Sequence, residues 1–203
     1  MGGAAALLLV LVAAALIVVI GYLGWWFTTP VRQSFTNPPA LSYKHQFRDP
    51  KTGESRPFPS ISDPHSVDLS LIAPAYNEEK RIKKFFDETL PYLDEKTKRE
   101  PGFTYEIIIV DDGSSDKTSE KSLEYAAKRG ADSIRVLTLA KNQGKGGAVQ
   151  QGMLHARGKH LLMVDADAAT DIRDLDRLIE RMRELEKKSS YGVVVGSRAH
   201  LQE

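Results

Sequence analysis

His160-Leu161-Leu162-Met163-Val164-Asp165-Ala166-Asp167 joins an apolar run directly to two carboxylates that are one residue apart. A short apolar run of this kind is typical of a strand buried in a sheet. Two carboxylates at its end are costly to place there without a partner. A divalent cation suits them, since Mg²⁺ commonly binds one or two carboxylates together with substrate phosphates. Taken alone, the stretch leaves a metal site and an ordinary loop equally open.

Short apolar runs alternate with helical stretches on both sides of this motif. Strands are predicted at 69–73, 105–110, 134–139, 160–164 and 191–195. Helices are predicted from Ile82, with Pro91 expected to kink it or end it early, and at 117–129, 146–156 and 171–187, the last capped by Asp171. Strands that are apolar on both faces and linked by helices indicate an α/β fold with a mostly parallel sheet, covered on both faces.

Polar clusters follow each of the five predicted strands. They are Pro74–Glu79, Asp111–Asp116, Lys141–Gly147, Asp165–Asp167 and Gly196–Arg198. Ligands of parallel sheets bind at the carboxyl ends of the strands, and a parallel sheet would bring all five clusters to one edge. Together with the other four clusters, the two aspartates favour a metal site over an ordinary loop.

Several other kinds of site are excluded by the sequence. No glycine stands five residues before Gly144, and Lys145 is followed by glycine, so the loop is not a P-loop. The first strand lacks the glycine fingerprint of a dinucleotide site. The chain has no cysteine, which excludes disulfides and cysteine-ligated zinc. A net charge of +1 over 203 residues gives no reason to expect nucleic acid as a partner.

The N-terminal 31 residues carry no charged side chain. Residues 4–27 are almost entirely apolar, and a bilayer core needs about 20 such residues in a helix. We therefore predict a single transmembrane anchor rather than a cleaved signal peptide, which would have a basic start and a shorter apolar run. Basic residues follow the run and place the rest of the chain in the cytosol: Arg32, Lys44, Arg48, Lys51 and Arg56. Residues 28–66, rich in proline, are predicted to be a linker or an irregular lead-in that packs on the domain surface, and residues 67–203 the domain.

Five stretches carry a resemblance to a known family: Ala73–Arg81, Val110–Ser114, Lys141–Gly147, Asp165–Thr170 and Gly196–Leu201. In them the chain resembles family 2 glycosyltransferases of the GT-A fold, and within that family the branch that forms dolichyl-phosphate glucose. The resemblance implies a GT-A domain, a Rossmann-like, mostly parallel sheet with helices on both faces, preceded by one N-terminal transmembrane helix. Because related enzymes continue well past Glu203, we expect this chain to lack their C-terminal part.

The resemblance also implies an activity and its location. Glucose would pass from UDP-glucose to dolichyl phosphate with inversion, for protein N-glycosylation. The enzyme would sit in the endoplasmic reticulum membrane with its catalytic domain in the cytosol, so the lipid bilayer would be a partner as well.

Roles for single residues follow from the same resemblance. Asp165 and Asp167 would bind Mg²⁺ or Mn²⁺ and, with Arg198, form the catalytic set. The other positions are expected to bind substrate: Pro74, Tyr76 and Glu78 around the nucleoside, Asp111 and Asp112 on uracil and ribose, Lys141 and Lys145 on phosphate, and Ala166 and Ser197 beside the catalytic residues.

Two alternatives stay open at this stage. One is a related transferase that uses another nucleotide sugar or lipid acceptor, similar to dolichyl-phosphate mannose synthase. Relatives that transfer mannose often carry glutamine two residues after the second aspartate, where this chain has Ala169, so metal binding would rely on fewer protein ligands or on Thr170. The other alternative is a fragment that binds a nucleotide sugar without catalysis.

Overall fold

The computed structural model describes residues 14–26 and 46–197. The chain divides into two compact units, residues 1–44 and 45–203. In the first unit residues 14–26 form a helix, α1, whose side chains are exposed. Within the described residues, no helix combines the length and apolar character needed to cross a bilayer. Residues 4–13 and 27 of the predicted anchor lie outside the described residues. Residues 28–45 of the predicted linker lie outside them as well.

The second unit alternates strands and helices. Its strands are β1 Gln46–Arg48, β2 Ser55–Pro57, β3 Val67–Ala75, β4 Tyr105–Asp111, β5 Ile134–Thr138 and β6 Gly158–Met163. Its helices are α2 Ile82–Arg99, α3 Thr118–Arg129, α4 Gly144–Leu154 and α5 Leu175–Glu186, the last preceded by a 3₁₀ turn at Ile172–Asp174. As predicted, Asp171 caps this segment, since its carboxylate accepts a hydrogen bond from the backbone N–H of Arg173 at 3.0 Å.

The central sheet has the strand order β5-β4-β3-β6, and all of its pairings are parallel. Ala75 pairs with Asp111, and Asp111 pairs with Thr138, so β3, β4 and β5 end at the same level. The predicted parallel sheet is confirmed. Its carboxyl edge carries the loops that follow Ala75, Asp111, Thr138 and Met163.

Helices cover both faces of the sheet, as the sequence predicts. Leu71 and Ala73 of β3 pack in a core with α2, α3 and α5, while Ile72 between them packs in a second core with α4. This division follows from the alternation of side chains along a strand. At Gly152 of α4 an added Cβ would lie 2.4 Å from Ile72 Cγ2, so the helix approaches β3 more closely than a side chain allows.

A buried ionic network ties the four strands together at the opposite, amino edge. Glu106 of β4 is fully buried and accepts hydrogen bonds from the Ser70 hydroxyl and from the Arg157 backbone N–H at 2.9 Å. Its carboxylate also contacts the guanidinium groups of Arg135 and Arg157. Burial, with the charges of Arg157 and Arg56, lowers the pKa of Arg135 to about 9.

Three sequence expectations differ from the structure. The fifth strand, at 191–195, is wrong, because this segment is irregular and Val193 and Val195 are 83% and 80% exposed. Pro91 does not end its helix: α2 continues to Arg99, and the buried Leu93 and Lys96 hold the second half in place. Within the predicted linker, β1 and β2 form a short antiparallel hairpin. Phe47 on that hairpin and Phe58 just after it pack into the second core, and both rings lie against Arg135.

Candidate functional site

The loops after β3 and β4 are interlocked at the carboxyl edge. The backbone N–H of Asn77 donates to the Ser114 hydroxyl, and the backbone N–H of Ser115 donates to the Asn77 side chain, each at 2.9 Å. The backbone N–H of Glu78 donates to the buried Thr118 hydroxyl at the start of α3, at 2.8 Å. Two sequence clusters thus form one surface.

Asp111 and Asp112 are buried and support the loops around them. The Asp111 carboxylate accepts hydrogen bonds from the Ser114 backbone N–H at 3.0 Å and from the Ser119 hydroxyl. Asp112 accepts one from the Gln143 backbone N–H at 2.7 Å, which links the loop after β4 to the start of α4. A carboxylate accepts at both oxygens, so Asp112 can hold Gln143 and still receive a donor from a ligand.

Asp165 lies beside Lys145, as the convergence of the loops predicts. Lys145 Nζ is 2.5 Å from Asp165 Oδ1, and the two residues come from α4 and from the segment after β6. The lysine side chain is 58% exposed and the aspartate 37%, so the pair faces solvent at the edge. Ala166, the next residue, is buried.

Asp167 shares Arg81 with Glu78. Arg81 donates from Nη2 to Glu78 Oε1 at 2.7 Å, and its Nε lies 2.6 Å from Oε2. Its Nη1 is 3.7 Å from Asp167 Oδ2. Burial raises the pKa of Glu78; the Arg81 cation opposes this shift, and the carboxylates of Asp167 and Asp116 add to it. The arginine therefore joins the loop after β3 to the end of the Asp165–Asp167 stretch.

The other candidate residues occupy less constrained positions. Pro74 is half-buried near the end of β3, Tyr76 is 50% exposed just beyond it, and Lys141 is exposed on the loop after β5. Ser197 is exposed in the irregular segment that replaces the predicted fifth strand. Arg198 lies outside the described residues. The structure therefore brings four of the five predicted clusters to one edge.

Comparison with known proteins agrees with this arrangement. The sequence profile of glycosyl transferase family 2 matches residues 70–202, which include all four loops of the edge. The chain belongs to glycosyl transferase family 2. The predicted GT-A fold, a mostly parallel sheet with helices on both faces, is the fold of its second compact unit.

Relatives within the family include two dolichyl-phosphate β-glucosyltransferases. The one from Drosophila melanogaster is 48% identical over 157 residues, which are 77% of this chain and 48% of that protein. The one from Homo sapiens is 42% identical over 175 residues, which are 83% of this chain and 54% of that protein. The chain therefore spans about half the length of the curated relatives it matches.

Among solved structures, a mannosyltransferase from Pyrobaculum calidifontis in complex with GDP-Man and Mn²⁺ is similar. It is 22% identical with a TM-score of 0.46, over 62% of this chain and 35% of that chain.

The residues present at the edge fit a divalent cation that is bound together with phosphate. Within residues 14–26 and 46–197, no group of three or more His, Cys, Asp or Glu side chains is arranged to hold a metal ion by itself. Asp165 and Asp167 offer two partly exposed carboxylates, each already beside a cation. A hard cation such as Mg²⁺ needs only one or two carboxylates when substrate phosphates complete its shell. The donor set therefore suits a divalent cation whose remaining ligands are phosphate oxygens.

Arg81 is the site residue that the sequence analysis did not single out. It stands directly before α2 and follows the Tyr-Asn-Glu-Glu cluster by two residues, a position typical of an exposed residue at a helix start. A signal was present, since Glu78 is three residues away and such pairs meet on one side of a helical turn. Its contact with Asp167, 86 positions later, could not be found without the topology of the sheet.

Proposed function

We propose that this chain carries the nucleotide-sugar site of a transferase that moves glucose from UDP-glucose to dolichyl phosphate. The observation that supports it most is the joining of Glu78, Arg81 and Asp167 beside Lys145 and Asp165 at the carboxyl edge of a family 2 sheet. The identity of sugar and acceptor is inferred from the names of the relatives, which are dolichyl-phosphate β-glucosyltransferases.

In this proposal the loops after β3 and β4 hold the nucleoside. Tyr76, half exposed beside Pro74, offers a ring for packing against the base. Asp112 keeps acceptor capacity for uracil or ribose donors, while Asp111 holds the loop in shape. Lys145, at the start of α4, and Lys141 are the cations closest in sequence to the glycine-rich turn, where the backbone of a helix start favours phosphate.

The reaction needs positioning more than a strong base. A phosphate monoester has a second pKa of about 6, so the acceptor is already an anionic nucleophile at neutral pH. One of its oxygens forms the new bond to the anomeric carbon, and the bond from that carbon to the diphosphate oxygen breaks as UDP leaves with the electron pair. Mg²⁺ or Mn²⁺ bound by Asp165 and Asp167 would supply neutralisation of the diphosphate charge. Attack on the opposite side from the leaving group gives inversion.

The membrane location is part of the same proposal. The apolar run at 4–27 would anchor the chain in the endoplasmic reticulum membrane and keep the second unit in the cytosol, close to its lipid acceptor. Tyr22, Trp25 and Trp26 on α1 support this, because amphipathic aromatic residues favour the membrane interface. Digestion of sealed microsomes by added protease should remove residues 46–197; their protection would contradict a cytosolic domain.

A transfer assay tests the function. Membranes that contain the chain are incubated with dolichyl phosphate and with radiolabelled UDP-glucose or GDP-mannose. We expect label in the lipid fraction from UDP-glucose and none from GDP-mannose. Transfer from GDP-mannose alone would favour the mannose-using relative, and UDP binding with no transfer would favour a binding fragment.

A further inference from the structure

Both aspartates of the candidate metal site lie beside basic side chains from other elements. Lys145 Nζ is 2.5 Å from Asp165 Oδ1, and Arg81 Nη1 is 3.7 Å from Asp167 Oδ2. The four side chains are between 31% and 58% exposed. Partly exposed ion pairs contribute little free energy, so these pairs can exchange partners at small cost.

Lys145 occupies an unfavourable place for a cation. It is the second residue of α4, whose first turn contains no acidic residue. The N-terminus of a helix carries a partial positive charge, so a lysine there is stabilised only if an anion lies near it. In this structure Asp165 is that anion. A phosphate group at the same helix start would serve both the lysine and the backbone N–H groups.

Arg81 is held differently. Its guanidinium is fixed by two short contacts to Glu78, at 2.6 and 2.7 Å, and reaches Asp167 only at 3.7 Å. Loss of the longer contact would leave the arginine in place. Of the two cations, Lys145 is therefore the one whose partner at this edge would change when a metal ion approaches the aspartates.

We propose that Lys145 is an internal counter-cation, which neutralises Asp165 until a metal ion and a nucleotide diphosphate bind, and which then moves from Asp165 to the diphosphate. The second half of this exchange rests on the proposed function. Arg81 stays on Glu78 throughout. The exchange predicts two opposite effects of Lys145. The lysine opposes binding of the metal alone and favours binding of the metal together with the nucleotide.

The test is the substitution Lys145→Met in the full chain in detergent, with Mn²⁺ and UDP as probes. Free Mn²⁺ is measured by electron paramagnetic resonance without nucleotide, and we expect about two- to fivefold tighter binding, since a surface ion pair no longer has to break. UDP is then titrated calorimetrically at saturating Mn²⁺, and we expect binding weaker by about tenfold, since a charge-assisted contact to phosphate is lost.

Two further variants make the result specific. Lys145→Arg keeps the charge and should return both affinities toward those of the unaltered chain, which loss of packing would not explain. Lys159→Met removes a lysine that pairs with Glu186 at 3.0 Å and lies at the amino end of β6, away from the site. It should change neither affinity.

The outcomes separate this inference from the proposed function. Mn²⁺ binding that is unchanged or weaker in Lys145→Met overturns the counter-cation role. Tighter Mn²⁺ binding with unaltered UDP affinity overturns the transfer of Lys145 to the diphosphate. If the unaltered chain shows no affinity for UDP and Lys145→Met still binds Mn²⁺ more tightly, the counter-cation role is supported. The same result contradicts the proposed nucleotide site.

Discussion

Gly113 lies where the loop after β4 meets the loop after β5. Its φ is +70°, and a Cβ at this position would lie 2.9 Å from the backbone nitrogen of Asn142 and 3.0 Å from the backbone carbonyl carbon of Lys141. Only glycine meets both conditions without strain. The contact of the two loops, and with it the placement of Asp112 against Gln143, therefore depends on a residue that has no side chain.

Gly113→Ala should destabilise the fold by about 1–3 kcal/mol, because a left-handed conformation and a close backbone contact are forced on a residue with a Cβ. Urea unfolding followed by circular dichroism measures the change. Gly146→Ala is the matched control, since a Cβ there meets nothing within 4 Å and lies in α4. The control should be neutral or stabilising by up to about 1 kcal/mol. Equal loss in both variants would contradict the argument.

Glu78 makes stability depend on pH in a defined direction. Burial raises its pKa above the unfolded value, so the folded state binds this proton more tightly than the unfolded state does. Stability then falls as pH rises from the unfolded pKa, about 4.3, through the raised folded pKa. Glu78→Gln removes this loss. In urea titrations at about pH 4 and about pH 7, the variant should gain stability relative to the unaltered chain at the higher pH; a gain confined to the lower pH would contradict the assignment.

At the residue scale, sequence alone identified Asp165 and Asp167 because carboxylates after an apolar run are unusual and need an explanation. It could not show how the hydrogen-bond partners of Asp111 and Asp112 differ, since those partners depend on which loops meet. It also gave no role to Arg81, whose second partner, Asp167, lies in the segment after β6 that only the sheet order brings near.

The elements themselves followed closely from the sequence where burial was strong. The β-branched run of β4 and the apolar run of β3 were predicted as strands; the structure extends β3 by two residues at each end and β4 by one residue. The run at 191–195 is also rich in β-branched residues, but it does not pair with β6. It lies against α5 instead, where an added Cβ on Gly192 would be 3.2 Å from Leu185. A composition rich in β-branched residues favours a strand, but the strand forms only where a neighbouring strand offers an edge for pairing.

Glu106 links neighbouring strands, and the sequence did not reveal this. A single acidic residue in an apolar strand does not show which residues it will pair with. Replacing it by Gln should destabilise the fold by about 3–5 kcal/mol, since Arg135 and Arg157 would lose the buried charge that balances them. Chemical unfolding measures this. Glu184→Gln, which breaks an exposed pair with Arg181, should change stability by less than about 0.5 kcal/mol; equal effects would contradict a buried network.

On the scale of the whole second unit, the two edges of the sheet have different tasks. The amino edge is closed by the Glu106 network and by the buried rings of Phe47 and Phe58. The carboxyl edge is open, polar and built from loops that hold one another through side-chain to backbone hydrogen bonds. A ligand can therefore bind at the carboxyl edge while the amino edge maintains the fold.

Hydrogen exchange should report this division directly. Addition of UDP with Mn²⁺ should slow exchange in the loops after β3, β4 and β5, because bound ligand reduces local opening. Peptides from the amino edge around Glu106 and Arg135 should already exchange slowly and should not change. Protection that appears only around residues 191–197 would place the ligand elsewhere and contradict the site.

Calorimetric titration of UDP, with and without Mn²⁺, into the unaltered chain and into Asp167→Asn is the most direct test of the central claim. The claim is that Asp165 and Asp167, at the carboxyl edge of the sheet, hold a metal-bound nucleotide. The account predicts binding that depends on the metal in the unaltered chain and is weaker by about tenfold or more in Asp167→Asn. Binding of equal strength in both proteins, or binding indifferent to Mn²⁺, would contradict it.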